Sequence, residues 1–130
     1  MFIVLILCFN GALSFAQVSN QFEDTIIYSF PDQNAEFVGG QDQLGEYIFS
    51  NFRPPMYCVA EKINLEVIVR FVVEKDGSIS NAVIEKNTEY DLFDRRALDI
   101  FKTMPKWIPA SNDGKAVRVY VRIPIQFEYY

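Results

Sequence analysis

The sequence predicts an α+β domain in which two helices cover one face of a small, about three-stranded antiparallel sheet. Two segments carry apolar residues at helical spacing, and two others alternate in side-chain character with period two. An Asp-Gly turn after the first alternating segment predicts a returning strand. In chain order the elements are helix, strand, strand, helix and strand, and this order is typical of an α+β domain.

The first helix is predicted over residues 41–51, where apolar residues recur three and four positions apart. Pro54 and Pro55 end it. The second helix is predicted over residues 91–104, with Asp91 as its N-cap, Asp94 in the first turn and Pro105 as its stop. The apolar positions that define the two helices are Leu44, Tyr47, Ile48 and Phe52 in the first, and Phe93, Ala97, Ile100, Phe101 and Met104 in the second.

Three strands account for the sheet. Residues 65–73 alternate with period two and are rich in valine, so one face of this strand is expected on the core. The turn at Asp76 and Gly77 leads into a returning strand over residues 79–86. The last strand, over residues 117–127, is the most regular of the three, with valine and isoleucine on one face.

Composition limits the function. The 130 residues hold one domain, with 12 Lys and Arg against 17 Asp and Glu, and the net charge of -5 argues against nucleic acid as a partner. The chain has no histidine, which excludes Ser-His-Asp and Cys-His nucleophiles and every zinc site that uses histidine. We therefore expect neither an enzyme nor a cofactor or metal site. An acidic cluster near the second helix is read as a solvated helix start, with a hard-cation or catalytic site as the alternative: Glu89, Asp91, Asp94 and Asp99.

Three domains of unequal size are predicted. Residues 1–16 are read as a signal peptide, because they are apolar and because Ser14 and Ala16 give the small-residue pattern of a cleavage site before Gln17. This leader has no Lys or Arg before its apolar run, so a retained anchor or a start further upstream stays an alternative. Residues 17–35 form a lead-in with a short β-prone patch at 25–28, and residues 36–130 form the compact domain. Cys58 is then the only cysteine, and its apolar neighbours indicate an inert buried thiol.

Pro124 bears on how the last strand is used. Proline has no N–H for a ladder, so Pro124 predicts an edge strand or a bulge. The last strand most simply pairs with the first strand of the hairpin, which leaves its other side open. Such an edge can accept a peptide as an added strand, or it can be protected by charge, by a bulge or by a second copy of the chain. The residues alone leave these alternatives even.

Three stretches together resemble the TonB C-terminal domain family, in the version common in Bacteroidetes-type bacteria. Residues 35–40 (AEFVGG) open the domain, and residues 69–79 (VRFVVEKDGSI) form the hairpin. Residues 104–109 (MPKWIP) lead through residues 112–115 (NDGK) to the last strand. The spacing of these motifs makes the resemblance specific, and it extends from about residue 36 to the end of the chain.

The resemblance implies a periplasmic binding module of receptor-linked transport, whose last strand accepts the TonB box of an outer-membrane receptor as an added strand. The alternative is an envelope adaptor or self-associating protein that uses the same edge without a part in energised transport. The implied partner is a TonB-dependent receptor, with a homodimer as a second possibility, and with no nucleic acid and no small-molecule cofactor. Carried over to this chain, the docking strand consists of Val117, Arg118, Val119, Tyr120, Val121, Arg122 and Ile123.

Overall fold

A computed structural model describes residues 25–128. The predicted signal peptide, residues 1–16, and the first part of the lead-in lie outside the described residues. Eight elements follow one another in the described part of the chain. They are β1 (Ile27–Tyr28), α1 (Gly40–Asn51), α2 (Met56–Ala60), β2 (Leu65–Val73), β3 (Ile79–Lys86), α3 (Asp91–Asp99), β4 (Ala110–Asn112) and β5 (Lys115–Phe127).

The α+β class is confirmed, with an antiparallel sheet built on β5, β2 and β3. The strand order is β1-β5-β2-β3, and β4 pairs with β5 outside this path. Strands β2 and β5 pair continuously from Leu65 opposite Phe127 to Val73 opposite Val119. The β2–β3 hairpin has the predicted bounds, but its register shifts twice, and Asn81 within β3 has a left-handed φ of 52°. A bulge of this kind increases the local twist of the hairpin.

The core lies between the sheet and the helices. The alternating positions of β2 and β5 supply its floor, as their period predicted, and α3 covers it with Phe93 and Ala97, both fully buried. Aromatic side chains pack across the layers: Phe71 of β2 lies 5.2 Å from Phe101 and 5.4 Å from Trp107, measured between ring centroids. The helix α1 has no fully buried residue and contributes partly buried side chains, including Leu44 and Tyr47.

The second predicted helix is correct in its start but wrong in its cap and its end. The N-cap is Tyr90, and Asp91 is the first helical residue. The Tyr90 side chain makes no capping hydrogen bond, and the Asp94 carboxylate in the first turn accepts hydrogen bonds from the Thr88 amide at 3.1 Å and the Thr88 hydroxyl at 2.7 Å, which lie before the helix. The helix ends at Asp99 rather than at residue 104. The Phe101 and Lys102 amides donate to carbonyls three residues earlier, so the chain tightens into turns that still bury the predicted apolar positions.

Two elements were not predicted from the sequence. The five-residue helix α2 begins after Pro55, whose fixed φ suits the residue before a first turn. The strand β4 forms a hairpin with β5 through Asp113 and Gly114, both in left-handed conformations. An Asp-Gly pair between strands is the signal that predicts such a hairpin.

The turn at Asp76 and Gly77 is confirmed and also positions the segment before β4. The Asp76 carboxylate accepts hydrogen bonds from the Ser78 amide and hydroxyl, which lower the pKa of Asp76. The Gly77 carbonyl accepts a 2.8 Å hydrogen bond from the Trp107 amide. A Cβ atom at Gly77 would come within 2.0 Å of the Trp107 carbonyl oxygen, so this close approach requires glycine.

Candidate functional site: the outer edge of the last strand

The first part of β5 is paired with other segments of its own chain. Val117 lies opposite Ala110 of β4, and Arg118 lies opposite Ile27 of β1. Val119 lies opposite Tyr28 of β1, in a parallel pairing. Ile27 and Tyr28 of the β-prone patch predicted at residues 25–28 therefore form a strand, and β1 and β4 between them pair with three residues of the predicted docking strand.

The second part of β5 pairs on one side only within the described part of the chain. Each residue from Tyr120 to Phe127 lies opposite a residue of β2. The first four of them belong to the predicted docking strand: Tyr120, Val121, Arg122 and Ile123. Among residues 25–128, no strand pairs with the other side of residues 121–127. Pro124 lies in this part, so its predicted place at an unpaired edge is confirmed. We call this side of residues 121–127 the open edge.

Pro124 also shows which main-chain groups face the open edge. In an antiparallel ladder, opposed residues alternate between pairs that exchange two hydrogen bonds and pairs that exchange none. Pro124 lies opposite Ile68 without a break in the register, and it has no N–H to donate. The main chain of Pro124 therefore faces away from β2. Arg122 and Gln126, each two residues away, face the open edge in the same way.

At the paired end of β5, the side chain of Arg118 is held by a carboxylate. Its Nε donates to Glu74 Oε1 at 2.7 Å and its Nη2 to Glu74 Oε2 at 3.2 Å. Ser80 also donates its hydroxyl to Glu74. The Arg118 guanidinium lowers the pKa of Glu74 below its ordinary value, and the Ser80 hydroxyl adds to the effect. This bidentate pair is largely shielded from water, with 20% of the Arg118 side chain and 25% of the Glu74 side chain exposed.

The side chains along the open edge point to the same outer face and are also engaged. Arg122 donates through Nε to Glu85 Oε2 at 2.8 Å, with a second contact to Oε1. Gln126 donates to Glu66 at 2.6 Å, and this hydrogen bond lowers the pKa of Glu66. Carboxylates of β2 and β3 thus engage the polar side chains of β5, while the main chain at the open edge has no strand partner within residues 25–128.

The opposite face of β5 belongs to the core and borders a cleft. Val119 is 3% exposed and Ile123 is 7% exposed, and Val121 between them is partly buried. A cleft of about 420 Å³ begins at residues 121–123 and is bounded by the start of α1 and the segment before it. The cleft is lined by six apolar residues and four polar residues, together with Gly40: Ala35, Phe37, Leu44, Trp107, Val121 and Ile123 are apolar, and Asn34, Glu36, Gln41 and Arg122 are polar.

The other residues that the sequence raised as candidates have structural roles. The carboxylate of Asp94 accepts hydrogen bonds from Thr88 in the segment before α3, and within residues 25–128 no three His, Cys, Asp or Glu side chains lie close enough to hold a metal ion. Trp107 is buried with its ring 5.6 Å from that of Phe37, so it packs the segment before β4 rather than presenting a sugar-stacking surface. The Cys58 thiol is fully buried, and this burial raises its pKa. No helix in the described part of the chain has the length and apolar character to cross a membrane.

Comparison with known proteins places these features in a family. A family model described as Gram-negative bacterial TonB protein C-terminal matches residues 55–129. Two solution structures of the TonB C-terminal domain from Helicobacter pylori are similar to this chain. One has 26% identity and a TM-score of 0.53, covering 68% of this chain and 79% of its own. The other, a shorter version, has 24% identity and a TM-score of 0.51, covering 67% of this chain and 90% of its own. No curated protein sequence matches the chain.

Proposed function

The chain belongs to the TonB C-terminal domain family, and we propose that it docks a short extended segment of an outer-membrane receptor by strand addition to β5. The observation that carries this proposal is the open edge, whose main-chain groups at Arg122 and Gln126 face away from β2. A guest strand there would gain main-chain hydrogen bonds, from which this mode of recognition draws its affinity. The chain would act as a non-enzymatic binding module.

The docking strand predicted from the sequence is proposed to act through its second half. Val117, Arg118 and Val119 already have partners in β4 and β1. Val121, Arg122 and Ile123 would pair with the guest, and pairing would continue toward Phe127. Pro124 offers only its carbonyl, so a guest that runs the full length of this edge meets one position without a donor.

The proposed location follows from the family resemblance and from the sequence. A receptor segment is reached from the periplasm, so we propose that the protein is exported there by the leader predicted at residues 1–16. Retention of that leader as an inner-membrane anchor would place the domain in the same compartment.

The test is a titration of the protein with ten-residue peptides that span the TonB boxes of outer-membrane receptors from the same organism. Two N-methylated versions of a binding peptide, modified at successive central residues, give the matched comparison. Only every second amide of a strand faces its neighbour, so one version should bind about tenfold more weakly and the other should be unaffected. Equal binding of both versions, or no binding of any peptide, would refute strand addition.

A variant pair tests the same edge from the side of the protein. Arg122→Pro removes the N–H that faces the guest, whereas Arg122→Ala removes the side chain and keeps the N–H. We expect peptide binding to be lost in the first variant and kept in the second. Light scattering of the free protein checks the alternative use of the edge, because self-association through β5 would give a dimer that peptides dissociate.

A further inference from the structure

The cleft beside the open edge is placed to receive side chains of a guest strand. It touches β5 at residues 121–123, which lie on the open edge. Six of its lining residues are apolar, and the most enclosed of these, Phe37, Trp107 and Ile123, belong to the core cluster. Its volume of about 420 Å³ is at the low end for a small-molecule pocket, for which about 300–1,000 Å³ is usual.

Strand geometry determines which guest residues would enter the cleft. Directly opposed residues of neighbouring strands point their side chains to the same face of the sheet. Val121 and Ile123 point to the helix-bearing face, where the cleft lies. Guest residues beside these two positions would therefore point into the cleft, and the residue between them would point to the opposite face.

The opposite face offers little for discrimination. Arg122 and Gln126, which flank Pro124, already make ion-pair and hydrogen-bond contacts with Glu85 and Glu66. A guest side chain on that face would meet groups whose hydrogen-bonding capacity is partly used. The helix-bearing face, in contrast, presents apolar surface that gains by burial.

We propose that the cleft selects guest strands that carry apolar side chains two residues apart, at the positions that pair with Val121 and Ile123. This inference rests on the proposed function and adds a selectivity that main-chain pairing alone cannot provide. The occupant is an extended peptide of a partner protein, because the cleft continues directly into a strand edge that pairs with no other strand among residues 25–128. The cleft lining also includes Glu36 and Arg122, and the Arg122 side chain is already paired with Glu85.

The probes are two nine-residue peptides of the same composition, built from leucine and serine. In one, leucines alternate with serines through the centre; in the other, the leucines are adjacent. We expect the alternating peptide to bind at least roughly tenfold more tightly than the peptide with adjacent leucines. A difference of this size separates a filled from an unfilled apolar site. Equal affinities would overturn the selectivity.

Two variants of α1 connect this preference to the cleft. Leu44→Gln places an amide in the cleft wall, and Phe49→Gln makes the same kind of change at a side chain that is 86% exposed and outside the cleft. Binding of the alternating peptide should fall roughly tenfold in the first variant and stay unchanged in the second. The effect of Leu44→Gln should disappear for a peptide whose cleft-facing leucines are replaced by serine, a readout that does not depend on the stability of the variant.

The two proposals fail in different ways. In the first case, N-methylation weakens binding at only one of two successive peptide residues, but leucines at alternate positions give no advantage. Strand addition then stands and the cleft has no role. If N-methylation has no effect while leucines and Leu44 matter, the cleft binds apolar chains without strand pairing. If the chain's own residues before Thr25 fill the cleft, their removal will strengthen peptide binding, and this result would contradict a free cleft in the whole protein.

Discussion

The two ends of the last strand are built from similar residues but have different neighbours. At its first end, β1 and β4 pair with residues 115–119, and the Arg118–Glu74 ion pair is shielded from water. At its second end, residues 121–127 pair with β2 alone among the residues that the structure describes, and the Arg122 side chain is 68% exposed. One regular strand thus has a closed end and an open end, and the difference arises from distant segments of the chain rather than from the strand itself.

The largest expected effect is a difference in the free energy of unfolding between two proline variants, one on each side of the open end of β5. Ile123→Pro removes an N–H that faces β2 and a buried side chain, so the free energy of unfolding should fall by at least about 3 kcal/mol. Arg122→Pro, one residue earlier, removes an N–H that faces the open edge. This change should lower the free energy of unfolding by less than about 1 kcal/mol. Urea denaturation of both variants measures the difference. Similar losses in the two would mean that the main chain at Arg122 is also paired.

The closed end should depend on β1. Tyr28→Ser removes a side chain packed against the core and weakens the parallel pairing, with an expected loss of about 1–2 kcal/mol in the free energy of unfolding. Phe30→Ser is the matched control, because the Phe30 side chain is 94% exposed. This substitution should change the free energy of unfolding by less than about 0.5 kcal/mol. Thermal denaturation compares the two variants. Equal stabilities would show that β1 adds nothing to the closed end.

The features of β5 that the sequence could predict are those that depend on residues close together in the chain. Its period, its pairing with β2 and the edge position of Pro124 were predicted correctly, because they depend on alternation and on a missing N–H within a few residues. The parallel partner at Ile27 and Tyr28 was not predicted as a partner, although the patch was recognised, because its pairing joins residues about ninety positions apart and leaves no local period. The three residues of β4 are too few for a period, and the cleft depends on side chains from four separate segments.

The Arg118–Glu74 pair should make the closed end sensitive to acid. The pKa of Glu74 is lowered in the folded protein, so its contribution is fully present above the unfolded value of about 4.3 and is lost as pH falls through the lower folded value. We expect Glu74→Gln to reduce the free energy of unfolding by about 1 kcal/mol at neutral pH and to flatten its decline in acid. Chemical denaturation from pH 7 to pH 3 provides the measurement. A variant that keeps the same acid dependence would show that other carboxylates cause it.

The smallest effect is expected at the ion pair of the open end. Glu85→Gln breaks the contact with Arg122, whose exposure to water leaves it a contribution of less than about 0.5 kcal/mol. Added salt should erase even this difference, whereas the shielded pair at the closed end should respond less. Denaturation at low and high ionic strength compares Glu85→Gln with Glu74→Gln. A larger loss for Glu85→Gln would reverse the contrast between the two ends.

Amide hydrogen exchange along β5, followed residue by residue by NMR, tests most directly whether the strand is closed at one end and open at the other. In the free protein, the amide of Arg118 should be protected by β1, whereas those of Arg122 and Gln126 should exchange roughly tenfold or more faster than the inward-facing amides of Val121 and Ile123. A bound receptor peptide should then slow exchange at Arg122 and Gln126. If these two amides are already as protected as Val121 and Ile123 without a guest, the edge is not open and the account is wrong.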